Sequence, residues 1–216
     1  MSRRLAIISR GPDVGDALCS TDFMTESQTN DERWLNEIRS GKEAGLRELY
    51  ARYQGVLFRF ALHMTGSVAT AEDITHDAFI QLISKPGSYN ASKGPLSAYL
   101  FGITRNLARA SLRVTQANRA LDDVAEAEMI FESDAELIDC LSSSEALDSL
   151  RRALLALPEL YREVVVLCDL EEMTYADAAT VLECSAGTIA SRLHRAHNIL
   201  RAKLVSIGGR TAQDRC

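Results

Sequence analysis

Residues 122–148 carry ten acidic side chains and no basic one, and the whole stretch from 114 to 146 shows no convincing core pattern. Such a segment cannot bury enough apolar surface to offset the entropy of ordering it, so it reads as a solvated tether. That divides the chain. Upstream, residues 78–121 hold six basic groups and no acid; downstream, residues 185–216 hold six basic groups and one acid. A net charge of −6 over 216 residues argues by itself against a nucleic-acid binder. Two basic segments flanking an acidic one reverse that impression.

The upstream part is helical in pattern, with no alternating apolar period to compete. Residues 1–30 read as a flexible extension, with Met24 as an alternative start. From Asp31, Trp34, Leu35 and Ile38 begin a first helix, and Leu46, Leu49, Tyr50 and Tyr53 lead into a second that continues to Gly66. Thr70 is the expected cap of a third helix, Ala71 to Ser84, whose Ile74, Ala78 and Leu82 face inward. Asp73, Asp77 and Ile80 share another side, two carboxylates beside an exposed apolar residue. That is a docking face for a basic partner, or acids simply favouring a helix N-terminus.

After Lys85-Pro86-Gly87 comes a loop, and Gly94-Pro95 restarts a helix. Its core stripe is Leu96, Leu100, Ile103, Leu107 and Val114; opposite lie Gly102, Arg105, Arg109 and Arg113, with Asn106 beside them. Arginines in a row can follow a phosphate backbone. Tyr89 and Asn90 add a stacking ring and an amide, the means of holding an unstacked base. Tyr99 and Phe101 are assigned to the core.

Downstream of the tether, Leu147, Leu150, Leu154, Leu155 and Leu157 resume a helical core, and Pro158 starts a helix at Glu159. The stretch Thr174–Ala196 then reads as two short helices about a tight turn at Glu183-Cys184. Thr174, with Asp177 three residues on, caps the first, and Ser185 caps the second. On the second helix Ile189, Leu193, Ala196 and Leu200 form one face, while Thr188, Ser191, Arg192 and Arg195 share another. An amphipathic helix with a solvated basic face fits this pattern as well as a recognition helix in a DNA major groove does.

The wording is more specific than the pattern. Ser185-x-Gly187-Thr188-Ile189-x-Ser191-Arg192-Leu193-x-Arg195-Ala196 resembles the C-terminal domain of extracytoplasmic-function (group IV) sigma factors of bacterial RNA polymerase. Ala71–Phe79 resembles the family segment that grips the clamp helices of the polymerase's largest subunit, although His76 stands where Gln is common. Tyr89–Arg113, notably Leu100–Ala108, resembles the minus-ten loop and helix. The resemblances cover about Asp31–Arg113 and Leu147–Leu204 in the family's order, and the middle domain that the family lacks is absent here too.

The resemblance implies an all-α fold of two small helical domains joined by a flexible acidic linker, the C-terminal one a helix-turn-helix domain. The expected divisions are 1–30, an extension; 31–113, the N-terminal sigma domain; 114–146, the linker; 147–206, the C-terminal domain; and 207–216, a tail. It implies a transcription initiation factor that binds core RNA polymerase at its clamp helices and flap, with Asp73, Asp77 and Ile80 as the polymerase-binding residues of the clamp-gripping segment. Minus-thirty-five duplex would be read by Thr188, Ser191, Arg192 and Arg195. Minus-ten DNA would be held by Tyr89, Asn90, Arg105, Asn106 and Arg109. Promoter DNA and an anti-sigma factor are the other partners implied, with no cofactor.

Two other readings fit parts of the sequence. A stand-alone helix-turn-helix regulator would bind a palindrome as a dimer without polymerase. A metal-dependent helical enzyme would need ligands beyond His194, His197 and Cys184, and no fourth is evident, so no metal is expected. Neither a Gly-rich phosphate loop nor a nucleophile elbow occurs, so no enzymatic activity is expected. The five cysteines (19, 140, 168, 184 and 216) form no CxxC pair and suit a reducing compartment. With no membrane-length apolar run and too short an apolar core for a signal peptide, the expected location is the cytoplasm.

Overall fold

The computed structural model describes the backbone of residues 20–121 and 144–213, with side-chain placements for 30–115, 117 and 147–204. Eight α-helices and no strand occur among the described residues. Four precede the gap: α1 (Ser20–Arg39), α2 (Glu43–Thr65), α3 (Val68–Ser84) and α4 (Leu96–Leu121). Four follow it: α5 (Ser144–Leu155), α6 (Glu159–Val165), α7 (Tyr175–Leu182) and α8 (Ala186–Gln213).

Helix α2 is the spine of the first domain. Leu49, Tyr53, Leu57, Phe60, Ala61 and Met64 recur every three or four residues and are all buried, the stripe a helix needs to serve several neighbours at once. It packs against α1, α3 and α4. Phe60 meets Phe101 of α4 edge-to-face at 5.5 Å between ring centroids, which accounts for Phe101 as a core residue. Gly66 ends α2 at φ 76°, its amide returning to Leu62 O, a left-handed cap that glycine adopts without a Cβ penalty.

Three boundaries differ from expectation. Helix α1 begins at Ser20 rather than near Asp31. Helix α3 is capped by Ser67, whose side chain accepts from the Thr70 amide at 3.3 Å, so Thr70 lies inside the first turn. Helix α4 continues past Arg113 to Leu121, because Gln116, Ala117, Arg119, Ala120 and Leu121 all favour helix and no Gly or Pro intervenes. The first part of the expected linker is therefore helix, with Val114 61% exposed. The rest of the acidic tether, 122–143, lies outside the described residues.

In the second domain Ala153, Leu154, Leu155, Leu157, Val164, Val165, Val166 and Leu167 are buried, but Leu147 and Leu150 are largely exposed. Helix α6 runs directly into a π-helical turn, Val166–Leu170. The helix-turn-helix follows as expected. Thr174 accepts from the Asp177 amide at 3.1 Å and donates to its carboxylate at 2.7 Å. Glu183 turns the chain at φ 52°, and Ser185 accepts from the Thr188 amide at 3.1 Å to start α8.

The two domains do not stand apart. Helix α7 packs on α4 and α5 packs on α2, and the buried residues of both domains join in one continuous cluster.

Candidate nucleic-acid interface

Helix α8 divides as its sequence requires. Ile189, Leu193 and Ala196 are buried, fixing the helix against α6 and α7. Ser191 and Arg195 are exposed, and Thr188 and Arg192 are half-buried. Thr188 bonds the Ser185 hydroxyl at 2.9 Å, and Ser191 donates to Thr188 O at 3.0 Å. These hydroxyls are thus oriented by their own helix turn. Neither arginine is engaged in any ion pair among the described residues, so the exposed Arg195 and the half-buried Arg192 share one side of α8 with the two hydroxyls.

The arginine row on α4 is placed differently. The sequence pattern suggested an outward basic face, but Arg105 is only 9% exposed. Its Nε donates to Glu163 Oε1 of α6 at 2.8 Å. Arg109 bonds Glu159 and stands 3.6 Å from the same Glu163 oxygen. The correction has a simple cause. Helix α6 offers two carboxylates at the four-residue pitch of the two guanidiniums, so opposite charges register along facing helices. Asn106 and Arg113 remain exposed.

The loop before α4 is shaped by the residues expected to hold a base. Asn90 accepts from the Ser92 amide at 2.9 Å, capping a short 3₁₀ turn, Ala91–Lys93. Tyr89 is half-buried, donates to Gly94 O at 3.1 Å and packs its ring 5.6 Å from that of Tyr99. Burial, then the nearby Glu32 and Asp31 carboxylates, raises its phenol's pKa. Both residues lie beside the α4 face, but each has a structural task there.

On α3, Asp73, Asp77 and His76 are exposed and Ile80 is 45% exposed, while Ile74, Ala78 and Leu82 are buried. The expected carboxylate and apolar surface is therefore formed and open. Of the residues weighed as metal ligands, His197 pairs with Asp169 at 2.7 Å and His194 contacts Asn198 at 3.2 Å. Burial, then the Asp169 charge, pushes the Cys168 thiol up to about 11, which leaves it a poor nucleophile.

Sequence reasoning missed the residues that join the domains. Arg59 of α2 forks onto Glu171, with contacts of 3.1 and 2.8 Å. Arg162 reaches from α6 to Met64 O at the end of α2 and to Leu155 and Leu157 O; burial lowers its pKa. The available signal was the matched spacing of Arg105/Arg109 and Glu159/Glu163.

Two helical units in this order, the second ending in a helix-turn-helix, define a class. Residues 49–118 match the family model for sigma-70 region 2, and residues 147–197 match that for sigma-70 region 4. The chain is 27% identical over 177 residues to the ECF RNA polymerase sigma factor SigW of Bacillus subtilis, covering 79% of this chain and 94% of that one. It is 28% identical over 171 residues to the ECF sigma factor SigL of Mycobacterium tuberculosis, covering 78% and 94%. The fold resembles that of CnrH in complex with the cytosolic domain of CnrY (TM-score 0.61, 24% identity, covering 82% of this chain and 98% of that one). It also resembles that of the Bartonella quintana sigma factor RpoE in complex with the anti-sigma factor NepR (TM-score 0.57, 25% identity, 74% and 96%). The chain belongs to the extracytoplasmic-function sigma factors, the RNA polymerase subunits that act in transcription initiation. No described helix is long and apolar enough to cross a membrane.

Proposed function

We propose that the chain binds core RNA polymerase through the open face of α3, Asp73, Asp77 and Ile80, and directs it to promoters with its two domains. Residues 31–113 form the polymerase-binding and minus-ten unit, and residues 147–206 the minus-thirty-five unit. Thr188, Ser191, Arg192 and Arg195 read the upstream duplex from the major groove, the hydroxyls and guanidiniums pairing with base edges and phosphates. Tyr89, Asn90, Arg105, Asn106 and Arg109 capture the melted minus-ten strand. Unpairing is offset by stacking and by charge-assisted hydrogen bonds, with no covalent chemistry. The protein acts in the cytoplasm, is not an enzyme and requires no cofactor. An anti-sigma factor is a further partner, as the Bartonella relative's complex with NepR suggests.

The observation that carries this reading is the split of α8 into a buried apolar face and an outward face of unpaired arginines and oriented hydroxyls. The test is transcription in vitro from genomic promoter fragments, with core polymerase and this chain as the sole initiation factor. Specific transcripts lost on Arg195→Ala support it. Tight binding of a palindrome without polymerase would instead indicate the stand-alone regulator.

A further inference from the structure

We propose that the exposed face of α3 is the docking site of the chain's own residues 3–10, which compete there with core RNA polymerase. This rests on the reading of α3 as the polymerase-binding face.

The face asks for a particular partner. Asp73, Asp77 and Ile80 share one side of α3, with His76 and Ile83 along its edge. All five are exposed, the two isoleucines by 45% and 41%. Tyr50 of α2 lies against Phe79, 4.7 Å between ring centroids, and is itself 39% exposed. It carries the apolar strip from α3 onto the next helix. Asp73 and Asp77 enter none of the ion pairs among the described residues. Three large apolar side chains beside two unpaired carboxylates suit a partner that is both apolar and basic.

The N-terminal segment has that chemistry. Arg3-Arg4-Leu5-Ala6-Ile7-Ile8-Ser9-Arg10 sets three arginines around an apolar run, and no acid occurs before Asp13. Its arginines can pair with Asp73 and Asp77 while Leu5, Ile7 and Ile8 cover Ile80, Ile83 and Tyr50.

The topology brings the segment to the face. Short turns join α1 and α3 to α2, and both helices pack along it, so both run antiparallel to α2. Their C-terminal ends meet where Arg39 donates to Pro86 O at 3.1 and 3.2 Å. Ser20 therefore opens α1 at the end of the bundle where α3 also begins. The 19 residues before Ser20 can span about 65 Å when extended, whereas the 17 residues of α3 are about 26 Å long. So short a tether holds the segment at an effective concentration of about 1 mM. A contact with a Kd of only about 0.1 mM then leaves the face filled about ten times as often as open, and weakens a competitor about tenfold. A partner that grips more of the chain than α3 alone displaces the segment; one that touches only α3 does not.

The test uses the full chain. With Ile7 replaced by benzoylphenylalanine, photo-crosslinked peptides are identified by mass spectrometry, and affinity for immobilised core polymerase is measured by interferometry. Arg3→Glu/Arg4→Glu/Arg10→Glu reverses the segment's charge. Leu5→Ser/Ile7→Ser/Ile8→Ser removes its apolar run at constant charge, which separates competition from a direct electrostatic effect on polymerase. The wild-type crosslink should fall within one chain, from position 7 to α3 or Tyr50, and the arginine variant should lose it. Both variants should bind core polymerase about tenfold more tightly at unchanged helicity. Asp73→Lys/Asp77→Lys should lose the crosslink and bind core polymerase more weakly. A crosslink elsewhere, with no gain in core affinity, overturns the proposal; a weaker Asp73→Lys/Asp77→Lys chain would then keep the polymerase-binding face. A crosslink to α3 with no gain overturns the competition. Unchanged core affinity in Asp73→Lys/Asp77→Lys overturns the polymerase-binding reading, and the competition with it. A crosslink joining two chains overturns the intramolecular contact.

Discussion

A carboxyl taken out of water must find its hydrogen bonds inside the protein, and Asp31 finds one in Tyr53, whose hydroxyl donates at 2.6 Å. Burial raises the Asp31 pKa, against the opposing pull of Tyr53 and then Arg52; burial, then the Asp31 contact, raises that of Tyr53 as well. Tyr53→Phe should therefore cost about 1–3 kcal/mol, the penalty for leaving a buried acceptor unpaired, read from the urea midpoint at unchanged slope. His63 offers a second check. Its pKa is lowered by burial first, then by the charges of Arg151 and Arg59. A lowered histidine pKa means the neutral ring is favoured in the folded, closed chain. Its contribution is complete above the ordinary value of 6.5 and is lost as pH falls below it. His63→Gln should flatten the fall in thermal midpoint below pH 6.5; an identical pH profile would exclude His63 as the cause.

At the scale of elements, α3 and α8 each present a formed face to solvent. Reversing Asp73 and Asp77 to Lys should weaken binding to core polymerase with little change in melting temperature, because both side chains are exposed and the buried Ile74, Ala78 and Leu82 are untouched. Unchanged affinity would remove the docking role from this face. Arg195→Ala should weaken upstream promoter recognition by about 1–3 kcal/mol if the guanidinium reads a base, or reduce the salt slope by about one if it holds phosphate. Equal losses on a scrambled upstream element would show that α8 is not the reader. These two faces were legible in the sequence because each depends on one helix's own period. The caps at Thr174 and Ser185, each accepting from an amide three residues on, were legible. Helix ends were less so: Ser67 caps α3 three residues before the expected Thr70, and α4 overran because nothing after Arg113 breaks a helix.

The whole molecule hides what its helices reveal. Arg105 and Glu163 lie 58 residues apart in sequence, and Arg59 and Glu171 lie 112 apart. A reading by periodicity gives every such charge to solvent, so the α4 arginines looked free. The pairing of α4 with α6 depends on how one domain lies on the other, which no local pattern encodes. One result follows for the free chain. With Arg105 and Arg109 held by Glu163 and Glu159 while Arg195 is exposed, it should bind promoter duplex weakly and with little sequence preference, while its complex with core polymerase binds specifically. Fluorescence anisotropy with and without core enzyme measures the difference, and tight specific binding by the chain alone would contradict it.

Gly66 adds a genetic consequence. A Cβ at this position would fall 2.8 Å from Leu155 Cδ1, and the backbone sits at φ 76°. Any side chain here strains the end of α2, by roughly 1–2 kcal/mol for an L-residue in the left-handed region, and pushes against α5 of the other domain. A screen of substitutions at Gly66 should therefore return only variants with a lower melting temperature, and Arg59→Ala, which leaves the Glu171 carboxylate without its fork, should add to the loss.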